Sequence, residues 1–200
     1  MNIVLASSNK GKISELNALL DSVGLKVVPQ SEFAISDADE AGLTFVENAL
    51  IKARHASRES GLPAIADDSG LEVDALQGAP GIYSARYAGR PTSDERNNEK
   101  LLNDLSEISE PHRTARYHCV LVYLQHAEDP TPLICHGVWE GEILTRPQGN
   151  GGFGYDPLFW VASEQCSAAE LSPDRKNALS HRGHALQKLL TALPAKVRSL

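Results

Sequence analysis

The chain has 200 residues, 42% of them hydrophobic, which supplies a sizeable core for one large domain or two closely joined lobes and excludes a disordered polymer. Lys and Arg number 19 against 26 Asp and Glu, a formal charge of −7 with histidines neutral. That balance excludes bulk attraction to a nucleic acid, yet a phosphate ester can still bind where a few cations converge and a metal assists.

The first ten residues show no basic stretch leading into a long apolar run. No window approaches the roughly 18 apolar residues of a membrane span, so a cytoplasmic protein with no membrane partner is expected. Ile3 to Ala6 reads as a buried strand, followed by a small polar turn, Ser7 to Lys12. Ile13, Leu16, Leu19 and Leu20 repeat at helical spacing, Gly24 stops that helix, and Leu25 to Val28 reads as a second strand. An acidic loop spans Ser31 to Gly42. Thr44 and Glu47 form a capping box for a helix to Ser60, which Gly61-Leu62-Pro63 ends. Ala64 to Ala66 reads as a short strand, Asp67-Asp68-Ser69-Gly70 as a turn, and strand alternation resumes at Leu71. Gly78 to Gly89 reads as a structured loop, and Ser93 and Asp94 cap a helix to about Leu105. Arg116 to Gln125 and Leu133 to Leu144 read as two long strands joined at Asp129-Pro130-Thr131-Pro132. Gly149 to Gly154 is a glycine loop, and Ser180 caps a last helix carrying Leu186, Leu189, Leu190 and Leu193. The fold class is α/β: a mixed sheet with helices against it and an antiparallel extension in the second half.

Several of these segments carry groups suited to phosphate chemistry, each with a plain structural alternative. Ser7 to Lys12 lies between a strand and a helix, where unpaired backbone N–H groups and a partial positive charge favour an anion. Asn9 is a good N-cap and Lys12 falls in the first turn; the alternative is an ordinary capped helix. Asp67 and Asp68 at a strand end suit Mg²⁺, which takes oxygen ligands; the alternative is a turn that needs no ligand. Asp37-Ala38-Asp39-Glu40 can lend a carboxylate to the same metal or be a solvated loop. Lys52 can reach a polyphosphate or snorkel from a packed face. Gly151 to Pro157 offers flexible backbone and two aromatics for a base, or a tight turn with core aromatics. Lys176, His181 and Arg182 precede the last helix; the last two can donate to a keto oxygen or decorate the surface. Cys119, Cys135 and Cys166 lack disulfide or metal spacing and read as free thiols, and no serine elbow supports a nucleophile.

The joint order of these segments, with Gly42-Leu43-Thr44-Phe45, Asn48-Ala49, Lys52-Ala53 and Gly81 to Arg86, resembles one family over essentially the whole chain. That family is the inosine triphosphate pyrophosphatases, the RdgB-type non-canonical purine nucleoside triphosphate pyrophosphatases, and the likeness is greatest to the bacterial enzymes. The resemblance implies a single domain over residues 1–200, with an elongated mixed sheet flanked by helices, two lobes, an active-site cleft between them, and a homodimer. It implies Mg²⁺-dependent hydrolysis of ITP, dITP and XTP to monophosphate and pyrophosphate. By resemblance, Asp68 is catalytic base and metal ligand, and Glu40 a second ligand. Ser7, Ser8, Asn9, Lys10, Gly11, Lys12 and Lys52 contact the triphosphate, and Ser69 is a neighbouring substrate contact. Phe153, Gly154, Tyr155 and Asp156 hold base and sugar, with Phe153 stacked on the purine, and Lys176, His181 and Arg182 surround the base. Ser8 departs mildly from the pattern, and Tyr83 to Arg86 has no assigned role. Two rivals are weaker. A Maf-like pyrimidine pyrophosphatase would carry a Ser-x-Ser-Pro-Arg start, and a nucleotide sensor would not need Asp68 and Glu40.

Overall fold

A computed structural model describes residues 2–21, 27–109 and 112–197. Its strands form one seven-stranded mixed sheet in the order β2-β1-β3-β4-β5-β6-β7. They are β1 (Ile3–Ala6), β2 (Val27–Pro29), β3 (Ala64–Val73), β4 (Thr114–Leu124), β5 (Leu133–Ile143), β6 (Phe159–Val161) and β7 (Cys166–Ser167). β1 is parallel to β2 and to β3, while β6 is antiparallel to both β5 and β7. The helices are α1 (Lys10–Asp21), α2 (Phe45–Ser60), α3 (Asp94–Asp104), α4 (Pro173–Leu179) and α5 (His181–Val197). The α/β class with a mixed sheet therefore stands. No helix among the described residues is long and apolar enough to cross a membrane.

The chain forms two compact units. The first holds the described residues within 1–68, 119–137 and 182–200, the second those within 69–118 and 138–181. In the first unit the two-residue period of the strands sorts side chains onto two faces. Ile3, Leu5, Ile65, Cys119, Leu121 and Tyr123 pack with Leu16 and Leu20 of α1 and Ala185, Leu186 and Leu189 of α5. Val4, Ala6, Ala64, Ala66, Val120 and Val122 pack with Ala49, Ala53 and Ala56 of α2. In the second unit Leu71, Val73, Tyr117, Trp139, Phe159 and Val161 pack with Leu101 of α3 and with Leu105 just past its end.

Local sequence explains the helix ends. Thr44 Oγ1 accepts the Glu47 N–H at 3.2 Å, and the Glu47 carboxylate reaches back to the Leu43 N–H at 2.9 Å. Gly61 closes α2 with φ 69°, its N–H on Ser57 O. Ser93 Oγ caps α3. The break expected at Asp67 to Gly70 is absent: β3 is one continuous strand of ten residues. Pairing with β1 holds the backbone extended through Ala66, and the two acids find cationic partners instead of their own backbone. The strands β6 and β7 and the helix α4 had no counterpart in the sequence reading. Gly24 and Leu25 lie outside the described residues; the second strand begins at Val27.

Asp129 secures the turn between β4 and β5. Its carboxylate accepts the N–H groups of Gln125 (3.1 Å) and Thr131 (2.9 Å) and pairs with Lys196 Nζ at 3.0 Å. Burial opposes the charge, but those donors hold the carboxyl down at about 2. A depressed folded pKa contributes stability above the unfolded value near 3.9, and that contribution fades as pH falls through about 2. Asp129→Ala is expected to cost about 1–3 kcal/mol at pH 7. Urea unfolding at pH 7 and pH 3 should show the gap from wild type narrowing at the lower pH.

Candidate active site

The pleat of β3 determines where its acids go. Asp67 shares the parity of Ile65, on the face of α1 and α5; Asp68 shares that of Ala66, on the face of α2. The partners confirm the split. Asp67 Oδ2 lies 3.3 Å from Lys12 Nζ of α1 and 3.2 Å from Arg182 of α5. Asp68 Oδ1 lies 2.7 Å from Lys52 Nζ of α2, and the same Nζ is 3.0 Å from Glu40 Oε1. The adjacent acids thus belong to different clusters, and Asp68 shares the Lys52 ammonium with Glu40.

The two carboxylates differ in character. Asp67 is fully buried; burial opposes its charge, but Lys12, Arg182 and Lys52 hold its carboxyl well below the usual range. Asp68 keeps 10% of its side chain exposed. Burial, with Glu40 adding to it, pushes its carboxyl above the ordinary value despite Lys52 and Lys12. Burial also disfavours the Lys52 ammonium, but Asp68, Asp67 and Glu40 outweigh it and raise its pKa. Asp68 is therefore the better proton acceptor and Asp67 a fixed counter-charge.

The first loop forms the expected helix start. α1 begins at Lys10, so Gly11 and Lys12 lie in its first turn, and the side chain of Lys10 is outside the described set. Asn9 Oδ1 accepts the Lys12 N–H at 3.1 Å, and Ser7 Oγ accepts the Asn9 N–H at 3.3 Å. Ser8 Oγ donates to Asp37 at 3.0 Å, and Gln30 Nε2 donates to the same carboxylate at 2.7 Å. The acidic loop is thereby divided: Asp37 ties to the first loop, Glu40 to Lys52. His55 Nε2 on Ser36 O, at 2.8 Å, tethers it to α2. Ser69 follows Asp68 in β3. Cys119 is an inert core thiol, pushed up to about 12 by burial and by the Asp67 charge.

The second unit carries the glycine loop. Asp156 Oδ2 accepts the Phe153 N–H at 2.8 Å and pairs with Lys176 Nζ at 2.6 Å. Lys176 Nζ sits 4.6 Å from the Phe153 ring centroid, so one ammonium fixes both the acid and the aromatic. Tyr155 is buried and its hydroxyl donates to Ser84 O at 2.7 Å. Ser84 Oγ in turn accepts the Leu71 N–H and donates to Gly81 O. Tyr83 to Arg86, which had no assigned role, belong to a 3₁₀ turn, Gly81–Arg86, that joins β3 to the glycine loop through Ser84. His181 is 6% exposed and stacks on Tyr117, centroids 4.7 Å apart and 10° between planes. Arg182 is 2% exposed. Neither is surface decoration, and a buried pair at this point was not readable because Tyr117, Trp139 and Asp67 lie far off in sequence. Among the described residues no three His, Cys, Asp or Glu side chains converge as a metal cage.

The chain has similar counterparts among known proteins. The model of the Ham1 family matches residues 3–192. A Photobacterium profundum protein named dITP/XTP pyrophosphatase is 61% identical over 191 residues, covering 96% of this chain and 97% of the relative. A protein of that name from Vibrio cholerae is also 61% identical, with 96% of each chain covered. The structure of a HAM1 protein from Coxiella burnetii superposes with a TM-score of 0.90 at 52% identity, covering 98% of this chain and 99% of that one.

Gly152 and Gly154 test the loop. Both have positive φ, 71° and 63°. A Cβ at Gly152 would stand 2.1 Å from Asp156 Oδ2, whereas one at Gly154 meets nothing within 4 Å. Gly154→Ala should cost only the backbone strain of about 1–2 kcal/mol. Gly152→Ala should cost about 1–3 kcal/mol more, because it also displaces the acid that holds Lys176. Thermal unfolding of the two variants side by side measures the difference, and equal losses would contradict this view of the loop.

Proposed function

The chain belongs to the Ham1 family, and on that premise we propose that it hydrolyses non-canonical purine nucleoside triphosphates to the monophosphate and pyrophosphate. The observation that carries the reading is Lys52 Nζ, held at once by Asp68 and Glu40. Two carboxylates that already share one cation are placed to share another, and Mg²⁺ needs only one or two when phosphates and waters complete its shell. Asp68 and Glu40 would hold that Mg²⁺, and its chemistry is to offset phosphate charge and polarise a phosphoryl oxygen.

The remaining roles fall to the protein's own groups. Lys12, Lys52 and the N–H groups at the start of α1 hold the phosphate charge. Asp68, its carboxyl raised by burial, takes a proton from a water aimed at the α-phosphorus. Pyrophosphate leaves with its charge held by the lysines, so catalysis is positioning and electrostatics. Asp67 is a positioning residue: it sets Lys12 and Arg182 without facing the Asp68 cluster.

The rejection of adenine follows from donors; guanine also carries a 6-keto oxygen, and this contact does not separate it. Inosine and xanthosine present a 6-keto oxygen where adenosine presents an amine. Donors on His181 and Arg182 pair with the keto oxygen and lose that partner against adenine, at about 1–3 kcal/mol per group. Phe153 stacks on the purine from the glycine loop. The same reading includes a homodimer and a cytoplasmic location, both drawn from the family likeness.

The test is pyrophosphate release from ITP, dITP, XTP, ATP, GTP and modified pyrimidine triphosphates, with and without Mg²⁺. Release confined to the inosine and xanthosine substrates and dependent on Mg²⁺ is expected; release from pyrimidines alone would sink the reading. Asp68→Asn should abolish turnover while triphosphate binding persists, and near-native turnover would remove Asp68 from its role. Arg182→Ala should narrow the preference for ITP over ATP; an unchanged ratio would take Arg182 out of base selection.

A further inference from the structure

Gly154 is held by α3 at both of its backbone polar groups. Its N–H donates to Asp94 Oδ2 at 2.7 Å, and its carbonyl accepts from Asn98 Nδ2 at 2.9 Å. Asp94 and Asn98 are four residues apart, so both project from one side of the helix, at successive turns. Ser93 fixes the start of that helix by accepting the Arg96 N–H. Asn97, between them, faces elsewhere: its side chain accepts the Ala88 N–H and donates to Ser84 O and Ala85 O. α3 therefore touches both the Gly81–Arg86 turn and the glycine loop.

The consequence falls on Phe153. Its own N–H is fixed by Asp156, and the next peptide group by Asp94. The following carbonyl is fixed by Asn98, and Lys176 stands against its ring. Gly154 has φ 63° and no side chain to pack, so without these bonds its peptide planes have wide freedom. A stacking ring whose backbone turns loses its pose before binding and must recover it at an entropic cost. We propose that Asp94 and Asn98 are positioning residues for base recognition: α3 clamps the Gly154 peptide so that Phe153 is preset to stack on the purine. The proposal rests on the reading that the glycine loop receives the base.

Base and phosphate contacts separate in a direct experiment. KM and kcat for ITP hydrolysis are measured alongside the inhibition constant of inorganic tripolyphosphate, which has no base. Asp94→Ala and Asn98→Ala should each raise KM for ITP by about 3- to 10-fold, the range of one net hydrogen bond, with kcat within about twofold and tripolyphosphate inhibition unchanged. Asp94→Asn keeps an acceptor for the Gly154 N–H and should stay near wild type, which also serves if the alanine variant fails to fold. Asn98→Asp sets an acceptor against the Gly154 carbonyl and should raise KM at least as much as Asn98→Ala. An unchanged KM in the alanine variants, or a KM rise matched by weaker tripolyphosphate inhibition, would overturn the clamp. Phe153→Ala in the same assay separates the two levels. If it raises KM and the α3 variants do not, the clamp alone fails. If Phe153→Ala leaves KM unchanged, the loop does not receive the base and both fail.

Discussion

Consecutive side chains of a β-strand point to opposite faces, and in β3 that rule falls on two neighbouring aspartates. Asp67 goes to the layer of α1 and α5, Asp68 to the layer of α2. From this one constraint the charge pattern of the first unit follows. Lys12 and Arg182 gather on one acid, Lys52 and Glu40 about the other. Two like charges on adjacent residues are turned apart by the sheet itself, and each has its own contacting cations. Asp67 is held ionised while the carboxyl of Asp68 is raised, a difference of environment between two identical residues.

Buried charges are costly unless paired, and the chain is acidic overall. Three of its cations nevertheless converge on β3, from three different helices. Their positions depend on ordinary packing: α2 lies close to the sheet because its inward residues are Ala49, Ala53 and Ala56, which brings Lys52 to Asp68 in the middle of β3. In the second unit a comparable economy holds. One ammonium, Lys176, serves Asp156 and Phe153, and one helix, α3, meets both the Gly81–Arg86 turn and the glycine loop.

Much of this was legible where the signal is local. Thr44 with Glu47, Gly61, Ser93 and the two long strands either side of Asp129 were readable because caps and turns act over a few residues. Asn9 and Lys12 were readable at the start of α1 for the same reason. The continuity of β3 was not, since Asp-Ser-Gly favours a turn locally and only the neighbouring strands override it. That local preference hid the opposite facing of Asp67 and Asp68. β6, β7 and α4 span three, two and seven residues, too few to show a period. The burial of His181 depends on Tyr117 and Trp139, and the roles of Asp94 and Asn98 on a glycine about sixty positions away. The likeness of ordered motifs supplied the family, which no single segment carried.

The pleat of β3 also bears on how such a chain can diverge. Substitutions in the strand change one side chain at a time. Loss or gain of a single residue between Ala64 and Asp67 would turn every later side chain to the other face. Either change would turn Asp68 to the face of Lys12 and Arg182; a loss would leave Ser69 opposite Lys52, and a gain would leave Asp67 there. The strand that carries both acids is free to vary in kind but bound to a fixed length, so insertions in descendants of this sequence should collect in the connections around it.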